Sequence, residues 1–112
     1  MKTLKEDWVR VHDLALDIVN ADMQGNTRRC ERKRQSLLRL LNLLERRHGP
    51  HPSVIATKAD YLMRDADKVR ELKRALKLAD KLNDSLNMQL IREDLDELKL
   101  GDKRKNREQI IS

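Results

Sequence analysis

Apolar residues recur three and four positions apart along most of the chain, the rhythm of helices packed on one side, and no stretch alternates in the two-residue rhythm of a strand. In residues 1–23, Leu4, Trp8, Val11, Ala15 and Ile18 fall on one helical stripe, and Leu14, Leu16 and Val19 widen it. Thr3 followed by Glu6 fits a capping box at the start. Gln24 and Gly25 close the helix, because glycine enters the left-handed conformation without a Cβ penalty.

A second helix starts at Asn26 or Thr27, carries Cys30, Leu37, Leu41 and Leu44 on its inner stripe with Leu38, Leu40 and Leu43 beside it, and stops at His48-Gly49-Pro50-His51-Pro52. Ser53 is expected to cap a third, shorter helix with Ile55, Ala59, Leu62 and Ala66 in line and Val54, Tyr61 and Met63 nearby, yielding between Arg64 and Asp67. A fourth, over 67–82, lines up Val69, Leu72, Leu76 and Ala79, flanked by Ala75, Leu78 and Leu82. Asn83, Asp84 and Ser85 are turn and cap residues, and a fifth helix over 85–100 repeats the spacing with Met88, Ile91, Leu95 and Leu98. Gly101 reads as its terminator. The expected organisation is one helical domain over 1–101 and a flexible basic tail over 102–112, which has four bases and too few apolar residues for a packed element.

At 112 residues the chain suits a single domain, and with Trp8 and Tyr61 its only Trp, Tyr or Phe residues, the core must be aliphatic. One cysteine, Cys30, excludes an internal disulfide. No apolar run resembles a signal peptide or is long enough to span a bilayer, so an intracellular, cytoplasmic protein without membrane contact is expected.

Charge changes the picture at one place. Residues 26–48 hold eight Lys/Arg against Glu31 and Glu45, a surplus of +6 that equals the net charge of the whole chain. Within that helix Arg28, Arg32, Gln35, Arg39, Asn42 and Arg46 recur at intervals of three and four with no acid among them, which puts them along one edge for about five turns. Arginines one or two turns apart can each reach a phosphate, in a contact that ignores sequence and weakens steeply with salt. No aromatic residue interleaves with them, so stacking on single-stranded bases is unsupported. Against a binding role, acids such as Asp13, Asp17 or Asp60 could neutralise the row inside the fold, or water could simply solvate it.

Other chemistry is thin. His48 and His51 are close enough in sequence to share a metal, but a structural site wants about four ligands and no cysteine or acid stands near them, so they read as junction residues at helix ends. Cys30, beside Arg29 and Lys33, has a setting that can favour a thiolate, and reads more simply as a small packing residue. Asp94 with Asp96 and Glu97, and Asp60 with Asp65, sit in helices dense with Lys and Arg and read as solvated ion-pair faces. No phosphate loop, nucleophile motif or glycine fingerprint is present. No catalytic residue, cofactor or metal is expected.

The segment LLERRHGPHPSVIA, with Gly49, Pro50, His51, Pro52, Ser53 and Val54, resembles the junction between tetratricopeptide repeats of the kinesin-light-chain type. Lys73 to Lys81 (KRALKLADK) is similar to the second helix of such a repeat, with Ala75 as the small packing residue, and Gly25 and Cys30 fall like the inter-helix glycine and the small residue after it. The chain departs from the pattern between Ser53 and Ala75, which is roughly six residues short, lacks the glycine between the third and fourth helices, and largely replaces the usual aromatics. The resemblance implies a right-handed stack of antiparallel helix pairs whose concave surface binds a peptide or partner protein.

An all-α fold of about five antiparallel helices is therefore expected, as a tetratricopeptide-like hairpin stack or, alternatively, a closed helical bundle. The expected function is a non-enzymatic interaction module for a protein or peptide partner. The alternatives are a nucleic-acid-binding helical protein that uses Arg28, Arg32, Arg39 and Arg46 on phosphates, with Lys103 to Arg107 as an auxiliary arm, and a self-associating scaffold, a homodimer with Trp8 at or near its interface.

Overall fold

The computed structural model describes the backbone of residues 3–111 and the side chains of residues 3–99. Five α-helices follow one another: α1 (Leu4–Met23), α2 (Thr27–His48), α3 (Pro52–Asp60), α4 (Asp65–Lys81) and α5 (Ser85–Ile111), with no strand among the described residues. The protein is all-α. The chain divides into two compact units, Met1–Pro50 and His51–Ser112.

The first unit is the antiparallel hairpin of α1 and α2. Thr3 caps α1 by accepting a hydrogen bond from the Glu6 N–H at 3.2 Å, and its hydroxyl donates to Glu6 Oε1 at 3.2 Å. At the other end Gly25 sits at φ +70°; its N–H reaches the Asp22 carbonyl at 3.0 Å and the Asn26 N–H reaches the Ala21 carbonyl at 2.9 Å. These two bonds satisfy carbonyls the helix would otherwise leave bare. Asn26 then caps α2 by accepting from the Arg29 N–H at 3.1 Å.

Val11, Leu14 and Ala21 of α1 and Leu37, Leu41 and Leu44 of α2 are buried. The inward side of α1 is thus centred on Leu14. Leu16 and Val19, expected to widen the stripe, lie 49% and 53% exposed, because at 100° per residue they fall on the far side of the helix from Leu14.

The second unit packs α3, α4 and α5 around Ile55, Ala59, Leu72, Ala75, Ala79, Ile91 and Leu95. Ala75 and Ala79 are fully buried on α4, and their small side chains leave room for the neighbouring helices to come close. The α3 start differs from expectation: His51, not Ser53, is the N-cap, its ring Nδ1 accepting from the Ser53 N–H at 3.2 Å, with Pro52 in the first helical position where its missing N–H costs nothing. The end differs too. α3 stops at Asp60, where the Tyr61 and Leu62 N–H groups turn to carbonyls three residues back at 3.1 and 3.2 Å, so Leu62 and Ala66 are not part of it.

The α4–α5 turn repeats the form of the α1–α2 turn. Asn83 takes φ +56°, its N–H bonds the Asp80 carbonyl at 3.1 Å, the Asp84 N–H bonds the Ala79 carbonyl at 2.9 Å, and Asp84 caps α5 by accepting from the Asn87 N–H at 3.3 Å. In each turn a buried alanine lies four residues before the left-handed position: Ala21 before Gly25 and Ala79 before Asn83. The backbone of α5 continues past Gly101, expected to end it, since one glycine weakens a helix by only about 1 kcal/mol. The side chains of residues 100–112 lie outside those described, and with them the expectation of a flexible tail over 102–112 and an auxiliary arm from Lys103 to Arg107.

Candidate interaction surface

The inner face of α2 fixes the outer one. With Leu37, Leu41 and Leu44 fully buried, the positions half a turn away face water, and those are Arg28, Arg32, Gln35, Arg39, Asn42 and Arg46, all exposed. From Arg28 to Arg46 the row runs about 27 Å at the rise of an α-helix. The spacing seen in the sequence therefore produces one continuous surface that holds all four predicted arginines.

The acids expected to compete for this row bond elsewhere or not at all. Among the described residues none of Arg28, Arg32, Arg39 and Arg46 forms an ion pair. Asp17 pairs with Lys33 at 3.5 Å and Glu31 with Arg34 at 2.6 Å, on the flank of the row. The carboxyl of Glu31 is held below its ordinary range chiefly by the hydrogen bond from Arg34, and burial opposes that shift. Beside the row a shallow recess of about 360 Å³ is lined by Arg29, Arg32, Lys33 and Ser36. Three cations around one open recess, with Lys33 alone facing a carboxylate, leave a positive potential that favours anions.

His48 and His51 have local duties. His48 Nε2 stands 2.7 Å from Asp7 Oδ2, and Arg47 Nη1 donates to both Asp7 oxygens at 3.2 and 3.3 Å. Asp7 is buried, and these hydrogen bonds, that from His48 first, hold its carboxyl below the usual range against the opposing effect of burial. His51 caps α3. Among the described residues no group of three or more His, Cys, Asp and Glu stands close enough to hold a metal ion. Cys30 is a free, half-buried thiol.

The second unit holds a recess that sequence spacing missed. Asp60, Lys68, Asp94 and Glu97 rim an opening of about 300 Å³ floored by Ala59, Leu72 and Leu98. The Asp60 carboxyl is pushed above its ordinary value by burial and then by Asp94, with Lys68 opposing; Asp94 is raised by burial, Glu97 and Glu93. The acids of α3 and α5 face each other here, whereas in sequence each had looked like part of its own helix's ion-pair surface. No signal in either helix alone marks the meeting.

Among the described residues no helix is long and apolar enough to cross a membrane. Comparison with protein-family models, with characterised proteins and with solved structures finds no match to this chain.

Proposed function

We propose that this protein is a non-enzymatic interaction module, a tetratricopeptide-like hairpin scaffold that binds an acidic segment of a partner protein along the outer face of α2. The observation that carries this reading is the row of Arg28, Arg32, Arg39 and Arg46, exposed on one face and free of ion pairs among the described residues. Planar guanidinium groups match carboxylates with two parallel hydrogen bonds. Gln35 and Asn42 between them offer neutral hydrogen-bonding groups, and Leu43, 39% exposed beside the row, offers apolar contact to a peptide.

A second reading, nucleic-acid binding, is favoured by the same unpaired row and by the Arg29–Arg32–Lys33 recess, since each of the spaced cations can reach a backbone phosphate. The protein reading leads on the resemblance of residues 49–54 to a tetratricopeptide-repeat junction, and the lack of an aromatic side chain on this face removes stacking on single-stranded bases from the second reading. Fluorescence anisotropy with a labelled Glu-rich peptide and with labelled nonspecific RNA and DNA, across a salt series, separates the two. Both contacts weaken as salt rises, and the peptide is expected to bind more tightly than RNA or DNA at about 0.15 M salt. Tighter binding of RNA or DNA with a steep log-linear salt slope would select the second reading. Sedimentation of the free protein tests the remaining alternative, a self-associating scaffold.

A further inference from the structure

α1 carries a second apolar stripe on the side opposite its buried one. Val9, Leu16 and Met23 are seven residues apart, and His12 and Val19 stand between them at the matching offset, which is the spacing of a coiled-coil seam. The four apolar members are 63%, 49%, 80% and 53% exposed for Val9, Leu16, Met23 and Val19, so the fold does not use them. Isolated exposed apolar residues are ordinary, but four along a single line on one helix form a patch.

The edges of the stripe decide what fits it. Glu6, Asp13 and Asn20 run along one side and Trp8, Ala15 and Asp22 along the other. Neither edge holds a lysine or arginine, the one cation in line with the stripe is Lys5 at its N-terminal end, and Asp13 and Asp22 form no ion pair among the described residues. A second copy of the chain would bring the same acidic edges and a single cation, the exposed Lys5 at the start of the seam, whereas a helix with Lys or Arg all along its apolar seam would meet Glu6, Asp13 and Asp22 with complementary charge over the whole stripe.

We infer that this stripe is a second docking surface, distinct from the basic face of α2, and that its occupant is a basic amphipathic helix of a partner protein. The hairpin thereby presents two surfaces of opposite character, an acid-edged apolar one on α1 and a basic one on α2. A module so built can hold an acidic segment and a basic helix at once.

Two synthetic helical peptides test this on the full-length protein, sharing one Leu seam and carrying either Lys or Glu at the flanking positions, with anisotropy and Trp8 emission as readouts. The Lys peptide is expected to bind at least about tenfold more tightly than the Glu peptide. Leu16→Gln with Val19→Gln should abolish that binding while leaving the thermal melt in place, since both side chains are exposed. Asp13→Lys should narrow the preference between peptides, and Arg28→Gln with Arg32→Gln should leave Lys-peptide binding unchanged, which separates this surface from the one on α2. Equal affinity for the two peptides, insensitivity to the Leu16 and Val19 changes, or stripe-dependent dimerisation of the protein alone would overturn the proposal.

Discussion

His48 Nε2 lies 2.7 Å from the buried carboxylate of Asp7, and this contact ties the last turn of α2 to the first turn of α1. Arg47 closes on the same carboxylate at 3.2 Å. Because these partners depress the Asp7 pKa below its ordinary 3.8, the folded state binds that proton less readily than the unfolded chain. The contribution is therefore complete above the ordinary carboxylate range and is lost as pH falls through the folded value. Asp7→Asn is expected to lower the melting temperature at about pH 6 and to flatten its decline between about pH 5 and pH 2. Melts of both proteins across that range check it.

Gly25 and Asn83 hold equivalent left-handed positions, at φ +70° and +56°. A Cβ added at Gly25 would meet nothing within 4 Å, so the cost of Gly25→Ala is one of backbone conformation alone, about 1–2 kcal/mol. Asn83→Gly removes the same kind of strain and should stabilise by up to about 1 kcal/mol. Chemical denaturation of the two variants should shift the midpoint in opposite directions.

Helix ends marked by special chemistry were legible in the sequence, as Thr3 with Glu6, Gly25 with Asn26, and Asn83 with Asp84 show. The end of α3 was not. Leu62 and Ala66 keep the helical spacing after Ala59, no glycine or proline interrupts it, and the helix is closed only by backbone bonds to carbonyls three residues back. The arginine row was legible because a helix converts spacing directly into a face. The Asp7–His48 contact needed one more step, reflecting α1 onto an antiparallel α2 of nearly equal length, 20 against 22 residues. The Asp60–Asp94 recess depends on how three helices pack, which no local pattern encodes.

Packing in the second unit leaves little slack at Ala75, which is fully buried in the α4 face of the core. Ala75→Leu should destabilise by about 1–3 kcal/mol through overpacking. In the first unit Leu41→Ala removes a fully buried side chain and should cost about 2–5 kcal/mol, depending on how far the hairpin relaxes into the space. Denaturant titrations of both variants supply the test.

Asp60 and Asp94 bind their protons more tightly in the folded state than in the unfolded chain, so their effect on stability runs opposite to that of Asp7. It favours folding below the raised values and fades as pH rises through them. Asp60→Asn should therefore stabilise the protein at neutral pH, by no more than about 1 kcal/mol because solvent screens the recess. No such gain should remain at about pH 3, where Asp60 itself is protonated. Melts at both pH values report it.

The outer face of α2, proposed as the binding surface, is tested by the affinity of a labelled Glu-rich peptide for the native protein and for the variant with Arg28, Arg32, Arg39 and Arg46 all changed to Gln. The four side chains are exposed, so the variant should melt as the native protein does. Four exposed charge contacts of roughly 0.5 kcal/mol each predict a loss of at least about tenfold in affinity at about 0.15 M salt. Unchanged affinity in a folded variant would place peptide binding somewhere other than this face.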